Sequence, residues 1–301
     1  MSSFTGTRSF SRWRFPDTGF EIGVETKYQT QKIYKAQVLH KKGTDKLRKN
    51  DVQALTNRFL SYIKRKINVV RNPVYAKLAK MYSPINYHGV LIPTSNYVFD
   101  DDVRSRFIKK EYESEEVKAI RKHVEEKYDI VDLGASTGFL TTYLVDMFDC
   151  PPRAVAVEAN KKLIPTLEEV KSLNGVDFEI EDSAYHSHFE KVNFNLHHLT
   201  VGGSVQRETD NKKVVSAISL KRIIQKYELE KFICVVDIEG GEADLINNEL
   251  DVLEENCKLL FVEFHEGYAH GVRDAKQSLE ASRLNIVDKV DGIHVYRSNS
   301  N

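Results

Sequence analysis

Four groups of residues in this 301-residue chain have types and spacings that could do chemistry. The first is Asp132-Leu133-Gly134-Ala135-Ser136-Thr137-Gly138, an acid leading into a turn bracketed by two glycines. Glycines let backbone pass close to a ligand, and the N–H groups opening a following helix favour a nucleotide-like guest. The second is Glu158, at the tip of the apolar run Ala154-Val155-Ala156-Val157. A carboxylate about 20 residues beyond a glycine loop can accept two hydrogen bonds from a ribose diol. The third is Asp182-Ser183, where Asp182 either faces a purine edge or simply forms a turn. The fourth joins Asp237-Ile238-Glu239-Gly240-Gly241-Glu242 with Glu263-Phe264-His265. Period 2 puts Asp237 with Glu239, and Glu263 with His265, on common faces. Such a cluster holds a hydroxyl, deprotonates it, or binds a divalent cation through Asp237, Glu239, Glu263 and His265. Glu242, near a helix start, reads as a capping acid.

Three chemistries use a loop like the first. A dinucleotide fingerprint needs G-x-G-x-x-G, and Ser136 stands where the second glycine belongs. A hydrolase nucleophile elbow, G-x-S-x-G, fits Gly134 to Gly138 letter for letter, with Asp237 and His265 downstream in the right order. The first motif of S-adenosylmethionine (SAM) methyltransferases fits as well. Glu158 decides for the last, because a nucleophile elbow does not require an acid on the next strand. An elbow also normally follows several strands, whereas the chain before Asp129 reads mostly helical.

These residues need elements to hold them. Ile130, Val131 and Leu133 read as a buried parallel strand, and Phe139, Leu140, Tyr143, Leu144 and Met147 recur at helical spacing. Ser114 reads as the N-cap of a helix over 114–126. Further on the pattern predicts helices over 161–173, 219–227, 242–253 and 272–282. Strands are predicted over 176–180, 192–199, 232–238 and 259–264, then a hairpin around Asp291-Gly292. The polar, glycine-bearing stretch 201–213 reads as a loop and candidate substrate lid. Alternating strands and helices with a terminal hairpin predict an α/β fold: a Rossmann-like, doubly wound, mostly parallel sheet with an antiparallel C-terminal edge.

Ahead of this lies a basic, mainly helical extension, with helical stretches expected over 32–49 and 51–68 and the domain boundary near residue 84, giving 1–83 and 84–301. Residues 1–82 carry 18 Lys and Arg against 5 Asp and Glu, although the whole chain has zero formal net charge. That asymmetry is either a solvated face or a surface for anionic lipid, glycolipid or nucleic acid. Three scattered cysteines without CxxC indicate a reducing compartment and no zinc site. No leader or membrane-spanning stretch is evident, so a cytoplasmic protein, peripheral to a membrane at most, is expected.

The chain resembles the FkbM-type SAM-dependent methyltransferases over roughly residues 86–297. The resemblance rests on Tyr112-Glu113-Ser114-Glu115-Glu116, the 131–138 loop, Glu158, Ser219-Leu220-Lys221-Arg222-Ile223, the 236–242 segment and Val262-Glu263-Phe264-His265. It departs from the family pattern at Gly241, where Ala is commoner, and at Val235-Val236, where a Lys is usual. The resemblance implies O-methylation of a hydroxyl on a sugar, glycolipid or polyketide-type product, or modification of a uronic acid. SAM is then expected on Asp132, Gly134, Ala135, Ser136, Gly138, Glu158, Asp182 and Ser183, with Asp132 orienting the loop or the methionine amine. The acceptor enters between Asp237 and His265, with His265 as base and Glu239 or Glu263 orienting it or joining Asp237 on a metal. An RNA ribose 2'-O-methyltransferase is the main rival, but no Lys stands at the Asp237 strand end for its Lys-Asp-Lys-Glu tetrad. A serine hydrolase using Ser136 and a non-enzymatic binding module complete the alternatives.

Overall fold

A computed structural model describes residues 13–14, 21–22, 72–196, 203–204, 212–265 and 271–298. The chain divides into two compact units, Met1–Arg71 and Asn72–Asn301. In the first, β1 (Trp13–Arg14) pairs antiparallel with β2 (Glu21–Ile22). The helical stretches expected over 32–49 and 51–68 lie outside the described residues. The second unit opens on a helix over 72–81, so the division falls ahead of the boundary expected near residue 84. That helix is tied in by buried Ala76 and Ala79 and by Thr94 Oγ1, which donates to the Ala79 carbonyl at 2.6 Å.

In chain order the remaining strands are β3 (Ile85–Tyr87), β4 (Val90–Ile92), β5 (Asp129–Leu133), β6 (Ala154–Val157) and β7 (Glu179–Glu181). Then come β8 (Ala184–Tyr185), β9 (Lys191–Leu196), β10 (Gly203–Ser204) and β11 (Lys212–Ile218). The last are β12 (Phe232–Val236), β13 (Cys257–Glu263), β14 (Leu284–Val290) and β15 (Ile293–Ser298). The central sheet has seven strands in the order β14-β15-β13-β12-β5-β6-β7. From β13 to β7 all pairs are parallel, and β15 and β14 add an antiparallel edge. This is the Rossmann-like layout expected, with its switch point between β5 and β12.

The central strands are apolar almost throughout because both faces are covered. Alternation then divides them. Ile130, Ala154, Ala156, Ile233, Val235, Leu259 and Phe261 face one core with the helices Ser114–His123, Phe139–Asp146 and Ile164–Asn174. Val131, Leu133, Val155, Val157, Cys234, Val236, Leu260 and Val262 face the other, with Leu220–Tyr227, Glu242–Asn256 and Val272–Glu280. Among the described residues no helix is long and apolar enough to cross a membrane.

Three local expectations need correcting. Ser114 is not an N-cap: Glu113 holds that place in a left-handed turn (φ 43°), and Ser114 Oγ donates to Glu115 Oε2 instead. The helix also stops at His123, where Val124 turns extended. Most of the expected lid over 201–213 lies outside the described residues, but Gly203–Ser204 and Lys212–Lys213 are strand. They belong to a second, four-stranded sheet, β10-β9-β11-β8, that the sequence pattern did not announce. Its inward residues Val192, Phe194, Val215 and Ala217 alternate along β9 and β11 and form a small core of their own with Ala159 and Ala184.

Glu249 interrupts the helix Glu242–Asn256 with a non-helical φ of −130°. Its buried carboxylate accepts from the N–H groups of Leu220 and Lys221 (both 2.9 Å) and from the Tyr185 hydroxyl (2.8 Å). It thus caps a neighbouring helix whose own N-cap, Ser219, satisfies only Arg222 N. Glu249→Ala leaves three donors unpaired, two of them buried, and is expected to cost about 3 kcal/mol, read as a lower urea midpoint. An unchanged midpoint would show that water replaces the carboxylate.

Candidate active site

The cavity lies at the carboxyl ends of β5, β6, β12 and β13, where the fold places ligands. It measures about 380 Å³. At its floor the 134–138 turn is shaped by backbone geometry. Gly134 has φ 88°, and a Cβ there would sit 2.0 Å from the Asp237 carbonyl oxygen, so no other residue fits. Gly134 N and Ala135 N both donate to Val157 O at 3.0 Å, and Asp237 N donates to Leu133 O at 3.0 Å. The loop is therefore locked to both flanking strands.

Asp132 is buried and accepts from Thr141 Oγ1 at 2.5 Å, which clamps the strand to the helix that follows. Burial pushes its carboxyl up to about 6. Glu158, 7% exposed, lines the cavity; Oε2 accepts from Ser136 N at 2.8 Å and Oε1 from Asn160 N at 2.6 Å. Burial raises it to about 7 despite those donors. Each oxygen keeps acceptor capacity for a second donor.

Of the residues expected to bind cofactor, Gly134, Ser136, Glu158 and Ser183 line the cavity. Asp132, Ala135 and Gly138 stand behind the lining and shape the loop. Asp182 is exposed, outside the lining, and pairs with Lys161 Nζ at 3.2 Å. Ser183 takes the inward place beside it. Ser136 Oγ is buried with no hydrogen-bond partner, so no base activates it, which removes support from the hydrolase reading.

Asp237, Glu239, Glu263 and His265 all reach the same cavity. The strand ends at Val236, so Asp237 and Glu239 are placed by a turn (Glu239 φ 50°, Gly240 φ 111°) and not by strand alternation. Glu242 is the residue the pattern undervalued. It is fully buried; Oε1 accepts from Gly240 N at 3.1 Å and lies 2.7 Å from His265 Nδ1. His265 Nε2 is 3.6 Å from Asp237 Oδ1. Glu242 thus holds the ring at Nδ1. Burial works against a charged His265, but the bond to Glu242 and the charge of Asp237 outweigh it and raise the pKa to about 9. Glu242 and Asp237 thus favour the imidazolium over the neutral ring. Asp237 is pushed well above the carboxylate range by burial, His265 opposing and Glu263 and Glu239 reinforcing.

Sequence reading also passed over Glu113 and Glu116 as site residues, although their three-residue spacing puts them on one side of a helix start. Both line the cavity. Glu116 is 8% exposed, its Oε2 has no hydrogen-bond partner, and burial raises it to about 7. Burial lifts Glu113 well above its usual range, helped by Glu116. Tyr112 underlies them, its hydroxyl 3.4 Å from Thr137 Oγ1 and its carbonyl accepting from Tyr87 at 2.6 Å.

The fold and site together define a Rossmann-like α/β protein with a carboxylate-rich cavity at its switch point. No model of a known protein family matches the chain. No curated protein matches it in sequence. Similar solved structures include a putative O-methyltransferase from Klebsiella pneumoniae, at 13% identity and TM-score 0.41, over 63% of this chain and 81% of that one. A SAM-dependent methyltransferase from Clostridium acetobutylicum aligns at 11% identity and TM-score 0.37, over 66% and 97%. A putative tRNA (m1A22) methyltransferase from Streptococcus pneumoniae aligns at 13% and 0.37, over 62% and 70%. Likenesses this distant carry no argument about activity.

Proposed function

We propose that this chain is a SAM-dependent O-methyltransferase of the FkbM type, acting on a hydroxyl of a sugar, glycolipid or related product. One observation carries the reading. Glu158, held by the N–H of the glycine loop, lines the cavity, and Asp237 and His265, the latter held from behind by Glu242, face the same space from the ends of β12 and β13. A ribose diol suits the first and an acceptor oxygen the second.

In the reaction the acceptor oxygen attacks the methyl carbon in line with sulfur. The O–C bond forms, the C–S bond breaks with its electron pair going to sulfur, and S-adenosylhomocysteine (SAH) leaves. Positioning supplies much of the acceleration. Asp237 and His265 hold the acceptor oxygen, and its proton goes to the Glu116 carboxylate, which lines the same cavity with Oε2 unpartnered. A neutral hydroxyl fits this cavity better than a uronic carboxyl. Glu113, Glu115, Glu116, Glu158, Asp237, Glu239, Glu263 and Asp291 line it against Arg106 and His265, and a further anion would be repelled. Among the described residues the lining holds no lysine, so nothing there supports the tetrad of an RNA ribose 2'-O-methyltransferase.

Calorimetric titration with SAM and SAH tests the cofactor, and mass spectrometry of glycans and lipids incubated with enzyme and SAM tests the acceptor. A gain of one methyl on a hydroxyl-bearing product is expected. A wild-type protein that binds neither SAM nor SAH, with or without acceptor extract, ends the reading. The basic segment 1–82 would bring the enzyme to an anionic, glycolipid-bearing surface. Full-length protein should then sediment with anionic vesicles and not with neutral ones, and equal sedimentation with both would remove that role.

A further inference from the structure

We infer that Asp237, Glu263 and His265 form a binding site for one divalent cation, which would grip the acceptor through two adjacent oxygens. The inference rests on the methyl-transfer reading for its purpose but not for its geometry. One oxygen each from Asp237 and Glu263 and one ring nitrogen of His265 lie within 4.8 Å of one another. Two donors each about 2.1 Å from an ion stand roughly 3 to 3.5 Å apart, close to the 3.6 Å between Asp237 Oδ1 and His265 Nε2.

Three further observations point to a cation. Asp237 Oδ1 is buried and has no hydrogen-bond partner. Glu116, more than nine-tenths buried and lining the same cavity, also has an unpartnered oxygen, Oε2, in the field of Glu263. Finally, His265 is gripped at Nδ1 by the fully buried Glu242, which turns Nε2 toward Asp237. A carboxylate on the far nitrogen is the usual way a metal-binding imidazole is fixed. Two carboxylates with one imidazole suit Mn²⁺, Mg²⁺ or Zn²⁺. An ion there would offset the crowded carboxylates and leave positions for a vicinal diol or hydroxy-carbonyl group. The acceptor class is thereby narrowed to molecules with two neighbouring oxygens.

A second group, His186, His188 and Asp244, also falls within ligand distance. Its donors are already committed: Asp244 accepts from Ser187 N, Ser187 Oγ and Asn248 Nδ2, and His186 Nδ1 accepts from His188 N. It serves as the control.

The experiment is a Mn²⁺ titration of the full-length protein followed by electron paramagnetic resonance, with and without SAH. One bound ion per chain is expected, with affinity falling at least about tenfold in Asp237→Asn and Glu263→Gln, and about tenfold in Glu242→Gln, while His188→Ala leaves it unchanged. Wild type that binds SAH but no Mn²⁺ overturns the inference and spares the methyltransferase reading. Mn²⁺ binding lost in His188→Ala and retained in Asp237→Asn and Glu263→Gln overturns it too. A chain that binds Mn²⁺ through these residues but not SAH keeps the site and sinks the methyltransferase reading. Because two isosteric ligand variants, Glu242→Gln and the wild type report separately, one misfolded variant does not silence the test.

Discussion

His265→Ala is expected to lower turnover about a thousandfold while SAH affinity stays unchanged, the size expected when a polar group acting on the reacting oxygen is removed. The separation follows from the layout. His265 lies 3.6 Å from the Asp237 carboxylate and is held from behind by Glu242, whereas Glu158 is held by Ser136 N and Asn160 N and makes no contact with the ring. Glu242→Gln keeps the shape of a fully buried side chain and removes only the negative partner of Nδ1. It should fall between wild type and His265→Ala, about tenfold down, because the ring is still packed but no longer pinned. Single-turnover rates and SAH calorimetry on the same preparations check both. Full activity in His265→Ala would mean that the imidazole does not face the acceptor. Equal losses of turnover and SAH binding would mean that it props up the whole cavity.

The second large effect concerns Glu158. Glu158→Ala removes an acceptor that can take two donors from a ribose diol and should weaken SAH by about 3 kcal/mol, roughly a hundredfold. It also strips a partner from Ser136 N and Asn160 N, so the loop loosens as well. The wild-type affinity should depend on pH in a defined direction. Burial raises this carboxyl to about 7, so below that value it carries a proton and offers fewer acceptor sites. SAH should therefore bind more weakly as pH falls through 7, by up to about tenfold per unit, and Glu158→Gln should flatten the profile. The stability contribution has the opposite sign. Between the ordinary carboxylate value and about 7 the folded protein holds a proton that the unfolded chain releases. Glu158 thus favours folding at low pH, and this contribution is lost as pH rises through 7. A SAH affinity that is level from acid to alkaline pH would show that Glu158 does not meet the ligand as a carboxylate.

Much of this protein is written locally. Apolar runs at β5, β6, β12 and β13, helical spacing after Phe139 and the Asp291-Gly292 turn each encode their own conformation, because strand alternation, helix period and positive φ are decided by neighbours in the chain. From these the doubly wound order follows, and with it the place of Gly134, Glu158, Asp237 and His265 at one end of the sheet. What the sequence could not settle depends on partners far along the chain. Glu242 looks like any acid at a helix start until β13 brings His265 against it, and Glu249 looks helical until its carboxylate is turned toward Leu220 and Lys221. Glu113 and Glu116 belong to a helix start that only tertiary packing lays over the cavity, and Asp182 and Ser183 stand side by side in the sequence, but one pairs with Lys161 on the surface and the other lines the cavity. The second sheet needed β8 to meet β11 across more than 25 residues, a pairing no local pattern carries. The sequence by itself determined which elements form and which chemistry-bearing residues sit at their ends. The tertiary structure alone decided which carboxylates are buried together, and so which of them hold the imidazole, the loop or a ligand, because burial and distance belong to packing between elements and not to any stretch of chain.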